Sequence, residues 1–123
     1  MMDNLDNIIE VLIKNRYRRG IVLGLDSYET ALEIRGSAPM MMVRSLTNSQ
    51  VKTLDDKSLQ FAVVNYFKKD DFSQAVTDSY DKIKNGGVII GELRGSSREY
   101  LGTAEYSYLI NESKGIWSIY VNR

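Results

Sequence analysis

The sequence predicts an α/β fold with a mostly parallel sheet, and two observations support that prediction. Short apolar runs alternate with stretches of helical length along most of the chain, a pattern typical of parallel strands joined by crossover helices. The end of the chain instead has two β-rich runs joined by the polar segment NESKG. Such a pair predicts an antiparallel hairpin.

The first elements follow from apolar spacing. Aliphatic residues recur at helical spacing over residues 3–16 and predict an N-terminal helix. The run GIVLGL, residues 20–25, predicts a buried strand. A second helix should cover residues 27–34, with Asp26 and the glutamate three residues later in the form of a capping box. Gly36 should end this helix.

The next elements continue the alternation. MMMVR, residues 40–44, predicts a second strand, and the polar segment 45–58 holds at most one short helical turn. LQFAVVNYF predicts a third strand over residues 59–67, and residues 70–84 predict an amphipathic helix. The pair Gly86–Gly87 should stop that helix, because a left-handed residue is needed there, and a fourth strand should follow at once.

The tail completes a single domain of residues 1–123, in which the parallel core covers residues 20–94 and the hairpin residues 104–122. AEYSYLI and IWSIYV are its two predicted strands, and a helix over residues 100–110 is the competing interpretation. The segment Ser96–Glu99 has the form of another capping box.

Composition excludes several kinds of chemistry. The chain has 16 basic and 16 acidic residues, so it has no general attraction for nucleic acid, and we expect no nucleic-acid partner. It contains neither cysteine nor histidine, which removes disulfides, thiolate or imidazole metal ligands and any histidine general base. No apolar run is long enough to cross a bilayer, and the acidic start does not resemble a leader peptide. We therefore expect a cytoplasmic protein without a bound metal.

The segment DDFSQAVTDSYDKIKNGGVIIGEL resembles the latter half of class I S-adenosylmethionine-dependent methyltransferases, most closely the group related to cephalosporin hydroxylase. In that family an apolar strand precedes a helix with a central aspartate, a glycine-glycine turn and a strand that ends in an acid. Residues 59–66, Asp78, Asn85–Gly87 and Val88–Glu92 match these parts in order. The resemblance implies a minimal Rossmann-like methyltransferase sandwich of about six strands, and S-adenosylmethionine as cofactor.

The sequence also departs from the family pattern. The family's first loop has at least two glycines, whereas here Gly24 stands alone. The second strand ends in Val43–Ser45 rather than in an acid, and the third ends in Asn65–Phe67. One strand–helix unit between Ser45 and Leu59 is missing. The chain therefore lacks a glycine and an acid that the family uses at its cofactor site.

The resemblance implies a ligand crevice between the first and third strands, since open parallel sheets bind ligands outside the carboxyl ends of their strands. The residues that it assigns to cofactor binding are Gly24, Asp26, Ser27, Tyr28, Arg44, Asn65, Tyr66 and Glu92. No catalytic residue can be named from the sequence.

Each of these residues also has a structural interpretation. Gly24 suits a tight strand-to-helix turn, and Asp26 suits a cap on its own helix. Arg44 could bind a phosphate or carboxylate group, or end a strand in solvent. Asn65 and Tyr66 could bind and stack on an adenine.

Glu92 is the best carboxylate for base or ligand chemistry, or it could cap the turn at residues 96–99.

The sequence leaves two candidate functions. The first is a small protein that binds S-adenosylmethionine or a related nucleoside and transfers a methyl group to a small molecule. The second is a non-catalytic remnant of that fold that works through oligomerisation or partner binding.

The hairpin predicts a homo-oligomer. IWSIYV reads as an apolar edge strand, and exposed apolar edges pair with another chain unless they are covered. We expect a two-fold dimer in which the second chain buries Trp117 or Tyr120.

Overall fold

The computed structural model describes residues 2–66, 68–93 and 106–123. In chain order the elements are α1 (Leu5–Lys14), β1 (Arg19–Gly24), α2 (Ser27–Ser37), β2 (Met42–Leu46), α3 (Asn48–Val51), β3 (Leu59–Asn65), α4 (Lys69–Tyr80), β4 (Ile83–Glu92), a 3₁₀ helix (Ser107–Leu109), β5 (Ile110–Ser113) and β6 (Ile116–Tyr120).

The strands form one six-stranded sheet in the order β2-β1-β3-β4-β6-β5. β1 pairs in parallel with β2 and β3, and β3 pairs in parallel with β4. β6 pairs antiparallel with both β4 and β5. The predicted fold is therefore confirmed: a mostly parallel sheet with a C-terminal antiparallel hairpin.

Helices lie on both faces of the sheet, which explains why β1 and β3 are buried on both sides. The edge strand β2 is different, because it exposes Met42 and Arg44 on one side. On the face of α1 and α2, which we call the α1 face, the core includes Ile8, Leu12, Ile34, Val22, Val63 and Ile90. On the opposite face, the α4 face, it includes Phe72, Val76, Leu23, Val64, Ile89 and Trp117. α3 has only four residues, so within residues 2–66, 68–93 and 106–123 no long helix covers the α4 face over β1 and β2.

The two glycines before the fourth strand have another role than the one predicted. α4 ends at Tyr80 with Asp81 as its C-cap, and β4 already begins at Ile83, so the prediction that Gly86 or Gly87 ends the helix is wrong. Gly86 does have a positive φ of 87°, but it lies in an irregularity within β4, where the register to β3 shifts. A Cβ on Gly87 would lie 2.4 Å from the carbonyl oxygen of Gln60.

This irregularity in β4 connects distant parts of the chain. The Gly86 amide donates to the Val121 carbonyl at 2.8 Å, and the Val121 amide donates to the Gly87 carbonyl at 2.9 Å. The phenol of Tyr17, a buried residue between α1 and β1, donates to the Gly86 carbonyl at 2.6 Å. The irregularity therefore fixes the N-terminal helix and the C-terminal strand to the same point of the sheet.

Replacing Tyr17 with phenylalanine should cost about 1 kcal/mol, the usual net value of one hydrogen bond, and should flatten the alkaline pH dependence of stability. Burial, and secondarily the nearby Tyr120, raises the pKa of Tyr17 from 10.0 to about 12. The stabilisation by Tyr17 is fully present below pH 10, the pKa of a tyrosine in the unfolded chain. It is lost as the pH rises to about 12. Urea unfolding at pH 8 and pH 11 measures it. Equal losses for wild type and Tyr17→Phe between the two pH values would contradict the assignment.

The hairpin differs from its predicted form. NES belongs to β5, and the turn consists of Lys114 and Gly115, which have φ values of 52° and 75°, as a two-residue hairpin turn with positive φ at both positions requires. β5 is the edge strand, and its Asn111, Glu112 and Ser113 are exposed. The expectation that IWSIYV is an edge is wrong, because β6 lies between β4 and β5.

Trp117 is only 1% exposed within the single chain, so no second chain is needed to bury it. Tyr120 remains 40% exposed, and association through the hairpin stays a prediction. The capping-box form at Ser96–Glu99 lies outside the described residues, as does most of the segment 100–110. No helix within the described ranges is long and apolar enough to span a membrane.

Candidate functional site

The strand order reverses at β1. The chain passes from β1 to β2 on one side and then to β3 on the other side, so the carboxyl ends of β1 and β3 form the point where ligands bind in open α/β sheets. The structure brings Gly24, Asp26, Ser27, Tyr28, Asn65 and Tyr66 to these ends. We call this region the carboxyl edge.

The two strands remain joined at this edge. The Leu25 amide donates to the Asn65 carbonyl at 2.8 Å, and the side-chain amide of Asn65 donates back to the Leu25 carbonyl at 3.0 Å. Gly24 has a φ of 101°, and a Cβ on it would lie 2.0 Å from the Asn65 carbonyl oxygen. The open side of Gly24 is therefore occupied by β3, and Asn65 holds the loop in place.

The loop after β1 does not form the predicted capping box. Asp26, the N-cap of α2, has a left-handed conformation with φ 53° and makes no side-chain cap hydrogen bond. The Ser27 hydroxyl lies 2.6 Å from that of Ser45 in β2, which ties α2 to the neighbouring strand. Leu25 is 48% exposed and Tyr28 61% exposed. Two large side chains, one before and one after Asp26 in the sequence, are thus exposed to solvent.

The capping box of this region belongs to α3. Thr47 Oγ1 accepts from the Gln50 amide at 3.3 Å, and Gln50 Oε1 accepts from the Thr47 amide at 2.8 Å. The Tyr66 hydroxyl donates to Asn48 Oδ1 at 3.1 Å. Burial, and secondarily the charge of Asp71, raises the pKa of Tyr66, so the phenol stays a neutral donor. Asn48 is not among the residues predicted for the site, although the T-x-x-Q motif around it indicates the start of a helix.

Glu92 ends β4 and is only 6% exposed. Its Oε1 accepts a hydrogen bond from the Asp3 amide at 3.2 Å. The carboxylate therefore anchors the segment before α1. No local sequence pattern connects these two residues, which are 89 positions apart.

Arg44 does not lie at the carboxyl edge. It pairs in register with Ile21, three residues before Gly24 along β1, and it lines a separate cavity at the amino-terminal halves of the strands. The structure does not bring it together with the other predicted site residues. Four cavities in residues 2–66, 68–93 and 106–123, this one included, are lined by residues outside the carboxyl edge. The same ranges contain no cluster of acids that could hold a metal ion.

No protein-family model and no curated protein sequence matches the chain. Solved structures do match. A protein from Staphylococcus aureus assigned as a caffeoyl-CoA O-methyltransferase superposes with a TM-score of 0.71 at 10% identity, over 98% of this chain and 83% of that one. A protein from Klebsiella pneumoniae assigned as an O-methyltransferase gives 0.63 at 10% identity, over 100% and 82%.

A third match is the 16S rRNA methyltransferase of T. thermophilus in complex with AdoMet and guanosine, with a TM-score of 0.60 at 10% identity. It is matched over 98% of this chain but only 39% of its own length. The chain has the fold of class I S-adenosylmethionine-dependent methyltransferases. At these identities the similarity establishes the fold and leaves the activity open.

The residues of this methyltransferase fold only partly fit the cofactor. The carboxyl edge and a buried acid, Glu92, are present. The glycine loop offers no cradle, because the Asn65 carbonyl fills the space that a Cβ on Gly24 would take. β2 ends at Leu46, followed by Thr47, which leaves no acid there for the ribose hydroxyls. The first loop and the end of β2 therefore lack the groups that the resemblance assigns to cofactor binding.

Proposed function

We propose that the protein binds S-adenosylmethionine or a related nucleoside on the outer rim of the carboxyl edge, as a small methyltransferase-like protein. The observation that carries the proposal is the pair of exposed side chains, Leu25 and Tyr28, directly after β1 at the reversal of strand order. An aromatic ring in solvent offers a face on which an adenine can stack, and the exposed Leu25 adds apolar surface at the same strand end.

One carboxylate at this rim suits the hydroxyl groups of a nucleoside. Asp26 is exposed beside Tyr28, and a carboxylate accepts hydrogen bonds from hydroxyl groups such as those of ribose. Methyl transfer from a sulfonium to a small molecule needs mainly positioning of the acceptor. It is therefore compatible with a chain that contains no histidine.

Replacing Tyr28 with alanine should weaken binding of S-adenosylmethionine roughly 5- to 150-fold, because stacking on a base contributes about 1–3 kcal/mol. Isothermal titration calorimetry with S-adenosylmethionine, S-adenosylhomocysteine and adenosine measures it. Tyr108→Ala is the matched control: Tyr108 is 80% exposed on the 3₁₀ helix and should leave binding unchanged. Binding of all three ligands would indicate recognition of the nucleoside.

A second function is favoured by a different observation. Asn65, Tyr66 and Glu92 each make a hydrogen bond within the chain, and Gly24 packs against β3. A site whose polar groups stabilise its own fold is expected of a non-catalytic remnant that acts through oligomerisation or partner binding. No heat signal at millimolar nucleoside, together with a dimer by sedimentation that Tyr120→Lys dissociates, would support this function against the first.

A further inference from the structure

A cavity of about 480 Å³ lies at the amino-terminal halves of β1, β2 and β3, away from the carboxyl edge. Arg19 and Arg44 reach it from neighbouring strands. Arg35, in the last turn of α2 on the opposite face, reaches it past β2, which is the edge strand of the sheet. In the register of the sheet Arg19 lies opposite Met42, and Ile21 lies opposite Arg44. Because strand residues alternate between faces, the four strand residues belong to the α4 face: Arg19, Ile21, Met42 and Arg44.

The cavity lies where no long helix of the described residues covers the sheet. α4 packs on β3 and β4, while α3, next to β2 in the chain, has only four residues. The segment before β3 closes the far side of the cavity with Leu54, Asp55 and Ser58. Its volume falls in the range of about 300–1,000 Å³ that is usual for small-molecule sites.

The charge of this cavity is unbalanced. Within the described part of the chain, the guanidinium groups of Arg19, Arg35 and Arg44 make no ion pair and no hydrogen bond. Asp55 is the one acid among the residues that line the cavity. The chain as a whole is neutral, so three unpaired cations around one cavity are a local concentration of positive charge. Guanidinium groups bind phosphate and carboxylate oxygens through paired, charge-assisted hydrogen bonds.

The cavity also has an apolar wall. Ile21 and Leu59 are buried at its base, and Met42 is 60% exposed beside the arginines. Methionine adapts its shape to flat or irregular apolar groups. A ligand for this site therefore needs both a negative group and an apolar body.

We propose that this cavity binds a small organic phosphate with an aromatic or otherwise apolar body, the phosphate lying between Arg19, Arg35 and Arg44 and the apolar body against Met42. This site is independent of the nucleoside rim proposed above. Arg44, which the resemblance assigned to the cofactor crevice, belongs to it.

Calorimetry with 1-naphthyl phosphate tests the proposal, with inorganic phosphate and 1-naphthol as probes of the two halves. We expect saturable binding of 1-naphthyl phosphate that is tighter than that of either partial probe. Arg44→Gln and Arg19→Gln should each weaken it about tenfold. Met42→Ser should weaken binding of 1-naphthyl phosphate and leave that of inorganic phosphate unchanged.

Arg18→Gln is the matched control, since Arg18 is exposed next to Arg19 but lines a different cavity. Amide chemical shifts should move at residues 42–44 and 54–59 and stay constant at residues 25–28. Equal weakening by Arg18→Gln, shifts confined to residues 25–28, or no binding at millimolar probe would each overturn the proposal. None of these results bears on nucleoside binding, which Tyr28→Ala tests separately.

Discussion

Replacing Trp117 with alanine should destabilise the protein by about 3–5 kcal/mol, the usual cost of removing a large buried aromatic side chain. Trp117 is 1% exposed in β6 and packs edge-to-face on Phe72 of α4, with ring centroids 5.1 Å apart. Its indole also lies over Gly91, where a Cβ would approach the ring to 2.6 Å. Trp117 therefore joins the hairpin to α4 and to the end of β4.

Urea unfolding followed by far-UV circular dichroism measures this effect, since Trp117 is the only tryptophan and fluorescence would be lost with it. Tyr120→Ala in the same strand is the control. Tyr120 is 40% exposed, so its replacement should cost about 1 kcal/mol. A folded Trp117→Ala variant with wild-type stability and an altered sedimentation coefficient would instead restore the interpretation of Trp117 as an interface residue.

The order of strands and helices was predictable because a strand that is buried on both faces needs apolar residues along its whole length. Such strands therefore appear as continuous apolar runs in the sequence. LQFAVVN is such a run, and β3 covers it. The predictions that failed concerned residues whose conformation depends on contacts with distant positions of the chain. The Gly86–Gly87 pair resembles a helix end locally, but its geometry is set by Gln60 and Val121.

Prediction of the candidate site was limited in the same way, by contacts between distant positions of the chain. Asp26 and Glu29 have the spacing of a capping box, but Asp26 takes a left-handed conformation next to the Leu25–Asn65 hydrogen bond, formed with a residue 40 positions away. Thr47 and Gln50 have the equivalent spacing in an undistorted loop, and they do form the box. The apolar strands and the family resemblance thus predicted the position of the carboxyl edge, whereas only the structure shows the hydrogen bonds made by its polar groups.

Gly24→Ala should have the second large effect, a destabilisation of roughly 2–6 kcal/mol that is the sum of two costs. Part of the cost is backbone strain, since φ is 101° at this position and a non-glycine residue held in such a conformation costs about 1–3 kcal/mol. The rest is overpacking, because the new Cβ would lie 2.0 Å from the Asn65 carbonyl oxygen and forced shifts in a packed interior cost about 1–3 kcal/mol. Urea unfolding of the ligand-free protein measures the sum.

Gly36→Ala is the matched control for Gly24→Ala. Gly36 lies in α2, a Cβ on it would meet nothing within 4 Å, and alanine should stabilise the helix by up to about 1 kcal/mol. The comparison also separates two roles of Gly24. If Gly24 served to let a cofactor approach, Gly24→Ala would fold with wild-type stability and lose only nucleoside binding. The contact with Asn65 predicts the reverse: stability falls without any ligand, because β1 and β3 can approach each other this closely only where the side chain is absent.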